Sequence, residues 1–391
     1  MKLSNKRKLF ILILTYLAYV SIYVARLNLT QAAPIFKAGN ILTQTQIGLL
    51  GSIFSGIYAF GRLINGGLSD RISPYIMIGA GLALSALGNI CIAFLPPFPA
   101  ILVLWGINAY AQSMLWSSVL KTLSLMYDAE KAKKKASVMV TSVATGNILG
   151  ILLNTALINS FGVAFAFFIP GLITLIFAVC IVLSSKTLVL EKSAEKKMMS
   201  FKALFKDKNV RTVTLPAFFH GAIKDNISLW MTVFFVAKFE IDLSKASLFV
   251  LFIPSVGLLG RLIYMPLYRL CKENEHRVSV FSFVACALLA LVMCITTHPL
   301  IAAVALGLIY ATVSLINTSM LSIFPISFSS VGKDATVSGL MDFITYGGAS
   351  VASFAYGFSI ENFGYNSMYI SWIVICVLSV LILSKLAYKK G

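Results

Sequence analysis

Long apolar stretches separated by short polar intervals run through almost the whole sequence. A helix that crosses a bilayer takes roughly 20 apolar residues. In lipid every backbone N–H and C=O must be satisfied within the segment, so repeated apolar runs of that length specify helices and little else. The composition agrees: 59% of the 391 residues are hydrophobic, 12% are charged and the mean hydropathy is +0.89. That is more apolar surface than one water-soluble core can hide, and it excludes a soluble enzyme. Turn and charge signals divide the runs into twelve predicted spans, at 9–34, 45–69, 75–95, 98–126, 136–159, 163–185, 211–237, 246–270, 277–297, 299–326, 334–360 and 366–386. The basic start of the chain resembles a signal peptide, but its apolar run continues to Ala33, so it is read as an uncleaved first helix.

The net charge of +18 would point to nucleic acid in a soluble chain. Here its distribution points to topology. With twelve spans, Lys2, Lys6, Arg7, Lys8, Arg71, the run Lys131, Lys133, Lys134 and Lys135, and the basic stretch Lys186–Arg211 share one side with Lys272, Arg277, Lys333, Lys385, Lys389 and Lys390. The opposite loops hold Lys37, Lys238 and Lys245. The positive-inside rule then places both termini in the cytoplasm of a multi-pass protein of the cell (plasma or inner) membrane. No nucleic-acid partner is expected; the bilayer and a small anionic substrate are, and the protein is read as a monomer. The six cysteines lie mostly in apolar runs without metal-ligand spacing, so neither a metal site nor a disulfide framework is expected. No nucleotide loop, catalytic triad or HExxH motif occurs, and neither a cofactor nor enzymatic activity is expected.

The stretch 186–210 divides the chain into an N-terminal bundle, 1–185, and a C-terminal bundle, 211–391, of six helices each. It reads as a cytosolic linker, and Phe201, Leu204 and Phe205 among its lysines also allow an amphipathic helix on an anionic leaflet. Gly61-Arg62-Leu63-Ile64 in the second span recurs 199 residues later as Gly260-Arg261-Leu262-Ile263 in the eighth. The same offset carries Arg26 to Asp225, beside Lys224. A duplicated architecture follows, with a site expected where the two halves meet.

Ionisable residues inside the spans are where function is expected, because a cation at mid-helix costs about 2.5–3.5 kcal/mol to insert. Arg26 and Lys224 lie deepest. Their alternative role is an internal ion pair with Asp225 or Asp342. Arg62 and Arg261 are nearer the cytosolic ends of their spans, where long stems can also reach the interface. Tyr19, Tyr23 and Arg26 share one helix face by their i, i+4, i+7 spacing. His220 precedes Lys224 by one turn and either meets the anion or sits neutral in the core. Asp342 and Tyr346 share a face of the eleventh span, where Asp342 serves proton coupling or a charge pair. Asn108, Gln112 and Trp116 form a stripe on the fourth span that suits either substrate contact or interhelical hydrogen bonds. Gly146, Gly150, Gly347 and Gly348 are read as close-contact positions between helices.

The loop Gly67-Leu68-Ser69-Asp70-Arg71 resembles the last five positions of the Gly-x-Leu-x-Asp-Arg signature of the major facilitator superfamily and is read as a conformational loop. Within it, the segments YVARLNLTQAAPIF (23–36), YAFGRLINGGLSDRISP (58–74), NAYAQSMLWSSVLKTL (108–123) and SGLMDFITYGGASVASFAYGFSIENFGYN (338–366) resemble the organophosphate:phosphate antiporters that carry glycerol 3-phosphate and hexose phosphates. The resemblance implies an all-α membrane protein with twelve transmembrane helices in two pseudo-symmetric six-helix bundles. It also implies that Arg26 and Lys224 clamp a phosphate, Lys224 standing where the family has arginine. Tyr19, Tyr23, Arg62, Gln112, Trp116 and Tyr346 fall on cavity positions. The chain departs from the pattern at Val143, where the glycerol-phosphate type has histidine, at Asp225, which adjoins the cation instead of following a turn later, and at Arg261 and Asp342, which are additions. The expected function is alternating-access transport of a small phosphorylated anion in exchange for phosphate. The alternatives are proton-coupled symport of a carboxylate or sugar acid, in which Asp342, Asp225 or His220 titrates, and a transporter-like membrane receptor.

Overall fold

The computed structural model describes residues 4–69, 72–185, 204–328 and 334–388, and these residues are helical apart from short connections. The helices are α1 (Asn5–Ala38), α2 (Gln44–Leu68), α3 (Pro74–Ala93), α4 (Phe98–Met126), α5 (Ala129–Phe161), α6 (Phe165–Ser185), α7 (Lys208–Phe239), α8 (Leu243–Leu270), α9 (Glu275–Ile295), α10 (Pro299–Ile326), α11 (Asp334–Phe363) and α12 (Tyr365–Ala387). Ten of them are long and apolar enough to cross a membrane. The other two, α7 and α11, carry Lys224 with Asp225 and Asp342 in their interiors. Each of the twelve predicted spans finds its helix. Asp70, Arg71 and residues 186–203, with most of the expected amphipathic segment, lie outside the described residues.

Several helices start earlier than the apolar runs predict, and the cause is the N-cap. Asp128 accepts the Lys131 backbone N–H at 2.9 Å, Asp207 accepts those of Asn209 and Val210, and Asp242 accepts that of Lys245 at 2.9 Å. Each carboxylate satisfies N–H groups that a first helical turn leaves orphaned. These bonds hold the exposed Asp128 and Asp242 carboxyls below the usual carboxylate range. The lysine run 131–135, expected in a loop, therefore forms the opening turns of α5. Two helices are interrupted. A turn at Met114 divides α4 into Phe98–Ser113 and Leu115–Met126, and α10 widens into a π-helix over Thr318–Ile323.

The chain forms two compact units. One comprises Met1–Phe36 and Ile57–Lys197, the other Lys37–Gly56 and Met198–Gly391. The first half of α2 therefore groups with the second unit.

Within each unit the same seams recur. In the first, α1 and α5 approach closely, since a Cβ at Gly146 would meet Val20 and Tyr23, and one at Gly150 would meet Val24 and Leu27. In the second, α7 and α11 do so at Gly221 against the Thr345 backbone and at Gly348 against the Phe218 backbone. The Gly-Arg-Leu-Ile repeat has the same structural role twice: Gly61 of α2 admits Ser113 of α4, and Gly260 of α8 admits the Ala311 backbone of α10. Gly347 has no neighbour within 4 Å of a Cβ placed there, so close contact explains Gly348 and not its neighbour.

Candidate functional site

In the first unit the face of α1 read from the sequence is present. The Tyr19 and Tyr23 rings lie 5.6 Å apart, and Tyr19 packs on Trp116 of α4 at 5.4 Å between centroids. One turn further on, the Arg26 guanidinium stands 6.0 Å from the centre of the Tyr23 ring. It stands closer, 5.4 Å, to a ring that the spacing argument did not single out, Tyr58 of α2. Arg62, one turn along α2 from Tyr58, lies 5.9 Å from the same ring. Two guanidiniums thus share one buried phenol, a cation–π arrangement in which the ring's negative faces offset part of the repulsion between the cations. Arg62, which the sequence left between cavity and interface, is grouped with Arg26. The i, i+4 spacing of Tyr58 and Arg62 was the available signal.

Behind this cluster lies a buried amide network. Gln112 is 2% exposed. Its amide nitrogen donates to Asn108 Oδ1 at 3.1 Å and, over longer distances, to the Ile22 carbonyl and Ser85 Oγ. Ser85 Oγ donates to Asn108 Oδ1, and Asn28 donates to Asn89. The Asn108 and Gln112 positions of the α4 stripe therefore stitch α1, α3 and α4 together, the interhelical alternative. Trp116 alone of the three faces Tyr19.

In the second unit Lys224 Nζ lies 3.6 Å from Asp225 Oδ1, both side chains being about one-fifth exposed at 20% and 21%. The same ammonium stands 5.1 Å from the centre of the Tyr346 ring on α11. Asp342 sits one turn before Tyr346 and is half-buried. The fully buried His220 ring has Nε2 3.3 Å from Asn317 Oδ1 of α10. Its Nδ1 and Asp225 Oδ2 are buried without a hydrogen-bond partner. Asn317 immediately precedes the π-helix of α10, a local irregularity often found at functional sites and one that apolar periodicity does not reveal. Tyr310 of α10, also unforeseen, packs its ring on Gly257 of α8. The Arg261 side chain itself is exposed on α8. Of the loop signature, Gly67 falls within the last turns of α2; Asp70 and Arg71 are not among the described residues.

Each unit thus carries a cation deep in a helix, Arg26 on α1 and Lys224 on α7, beside tyrosine rings. The first unit's cluster is doubly cationic. In the second unit the cation is paired with its neighbouring carboxylate. Among the described residues no group of three or more His, Cys, Asp or Glu side chains is arranged to hold a metal.

Residues 15–353 match the Major Facilitator Superfamily, and the chain belongs to that family. The fold agrees: the crystal structure of a bacterial homolog to the human lysosomal transporter Spinster, in its inward-facing and unoccupied conformation, superposes with a TM-score of 0.79 at 14% identity over 98% of this chain and 97% of that one. Among curated relatives, the glycerol-3-phosphate transporter of Bacillus subtilis is 25% identical over 97% of this chain and 92% of its own length. The probable hexose phosphate transport protein of Chlamydia trachomatis is 23% identical over 63% of this chain, and the match spans 61% of that protein's length. The membrane sensor protein UhpC of Salmonella typhimurium is 35% identical over a shorter stretch, 26% of this chain and 23% of its own.

Proposed function

We propose that this protein is a secondary carrier that moves a small phosphorylated organic anion across the cell membrane by alternating access, in exchange for phosphate. The observation that carries the proposal is the pair of guanidiniums, Arg26 and Arg62, gathered on the Tyr58 ring. Two planar, permanently charged forks set close together suit the several oxygens of a phosphate, and Tyr19 and Tyr23 supply hydroxyls within the same cluster. Lys224, the other cation deep in a span, is included in the proposed anion-binding set. Similarity to carriers named for glycerol 3-phosphate and hexose phosphates supports the substrate class. Exchange follows from charge: Arg26, Arg62 and Lys224 outnumber Asp225 and Asp342, so an unloaded carrier must bring like charges together to reorient, and a bound anion removes that penalty.

Proteoliposomes preloaded with phosphate should accordingly take up labelled glycerol 3-phosphate or hexose phosphate at least tenfold faster than empty ones. An imposed pH gradient should matter less than the internal anion. Rapid uptake into empty vesicles that depends on an inward proton gradient would instead establish the symport alternative and make Asp342, Asp225 and His220 the coupling residues.

The orientation in this proposal has its own test. In a cysteine-free background, Lys133→Cys should react with an impermeant thiol reagent only from the cytosolic side and Glu240→Cys only from outside. Labelling of both from the same side contradicts the positive-inside assignment.

Similarity to a protein named as a membrane sensor supports one second reading, a receptor that binds the same anion without transporting it. Saturable binding of a sugar phosphate to the purified protein, combined with no flux in either vesicle experiment, would select it.

A further inference from the structure

The turn of α1 that carries Arg26 is held from behind by its own backbone carbonyls. Asn154 Nδ2 of α5 donates to the Val24 carbonyl at 2.9 Å, and Gln112 Nε2 of α4 donates to the Ile22 carbonyl at 3.4 Å. Thr174 Oγ1 of α6 donates to the Ser21 carbonyl at 3.5 Å. A turn beyond Val24, Asn28 Nδ2 donates to Asn89 Oδ1 of α3 at 2.6 Å. All five side chains are buried. In an α-helix the Ile22 carbonyl also takes the backbone N–H of Arg26, and the Val24 carbonyl takes that of Asn28. A carbonyl oxygen has two lone pairs, so these side chains grip α1 without displacing its own hydrogen bonds.

The grip falls where rotation of α1 has most effect. One residue turns a helix by about 100° and advances it about 1.5 Å, and the Arg26 guanidinium meets Tyr58 on a different helix, 5.4 Å from its ring. Packing between α1 and α5 does not fix that rotation, because the two helices touch through Gly146 and Gly150, small residues that bring backbones together without interlocking side chains. Gly146, Gly150 and Asn154 recur every four residues along one stripe of α5. Asn154 is the member of that stripe that makes a directional bond. Stability does not ask for an amide there. Its Oδ1 is buried with no hydrogen-bond partner among the described residues, an arrangement that costs free energy, and the Val24 carbonyl keeps its helical bond whatever residue stands at 154.

We propose that Asn154 is a positioning residue: its amide, bonded to the Val24 carbonyl, sets the rotation of α1 that places the Arg26 guanidinium over Tyr58. The proposal rests on reading that cluster as the anion site, but the position itself can be measured without an anion.

The test uses the purified full chain and inorganic phosphate. By isothermal titration, Asn154→Leu should bind phosphate at least fivefold more weakly than the wild type, while its midpoint of thermal unfolding without phosphate stays at or above the wild-type value. Thr155→Val is the control. It removes a hydroxyl bonded to Gln31 at 3.2 Å, more than a turn past Arg26, and should bind phosphate as the wild type does. Unchanged affinity in Asn154→Leu overturns the proposal. So does a loss of affinity that comes with a lower midpoint or is matched by Thr155→Val, since either marks a packing role. If Asn154→Leu is not recovered folded, Thr174→Val, which removes the donor to Ser21 without changing shape, replaces it, with at least twofold weaker binding expected. In the second arm, nitroxides are attached at Arg26→Cys and Tyr58→Cys after the native cysteines are replaced, and their separation is read by electron paramagnetic resonance with no anion present. Adding Asn154→Leu should shift or broaden that separation; an identical distribution overturns the proposal. If the wild type binds no phosphate, the anion-site reading fails, and the nitroxide arm still decides the positioning role.

Discussion

Arg26→Ala should abolish uptake of a phosphorylated substrate while leaving the amount of protein in the membrane unchanged. Arg26 supplies a fork of donors from α1 next to Tyr23 and Tyr58. A hydrogen bond to a charged group contributes about 1.5–3 kcal/mol, so losing two of them to the same phosphate lowers transport by roughly a hundredfold or more. Arg26→Lys should fail nearly as completely, because a single ammonium cannot grip two oxygens in plane and is smaller than the guanidinium that lies against Tyr58. Lys224→Ala should give a comparable loss and leave Asp225 without its counter-charge. Arg261→Ala, at an exposed position of α8, should retain most of the activity. Uptake by reconstituted variants, normalised to protein, decides the matter: a fully active Arg26→Ala would put the anion elsewhere.

An equally large effect, on stability, is expected where α7 and α11 meet. A Cβ at Gly221 would overlap the Thr345 carbonyl, and one at Gly348 would overlap the Phe218 carbonyl. A carbonyl in a helix cannot swing aside as a side chain can, so the helices themselves must separate, at a cost of about 1–3 kcal/mol or more for each inserted group. Gly221→Val and Gly348→Val should therefore lower the midpoint of thermal unfolding in detergent by many degrees or prevent recovery of folded protein. Gly347→Ala, which meets nothing within 4 Å, is the control and should unfold close to the wild type. If Gly221→Val unfolds at the same temperature as Gly347→Ala, the α7–α11 contact is looser than described.

The helical architecture was legible because the strongest constraint on a membrane chain is one-dimensional: apolar length can be read along the sequence without knowing any contact. Helix starts were less legible, since Asp128, Asp207 and Asp242 carry α5, α7 and α8 into polar sequence that hydropathy assigns to loops. At the site, residues that share a helix were recovered together, as with Tyr19, Tyr23 and Arg26, because i, i+4, i+7 spacing is local information. What required the structure was the partner on another helix. Tyr58 looks like any tyrosine of an apolar span until the fold brings Arg26 over its ring. Asn317 and the π-helix after it depend on backbone geometry that side-chain periodicity does not encode. Gln112 shows the converse: a polar residue in an apolar helix signals that it has a partner, and only the tertiary contacts show that Asn108, Ser85 and a backbone carbonyl fill that role.

The adjacency of Lys224 and Asp225 also bears on how the chain enters the bilayer. Because the two residues are neighbours on one helix and their charged atoms lie 3.6 Å apart, α7 brings its own counter-ion and can discharge part of the insertion cost while still a solitary segment leaving the insertion machinery. Arg26 has no acid anywhere on α1 and meets Tyr58 only after α2 has been synthesised. The first helix of the chain must therefore enter with only the Tyr23 ring of its own beside the charge and wait for a later segment to add Tyr58, whereas the first helix of the second half arrives with its counter-charge in place.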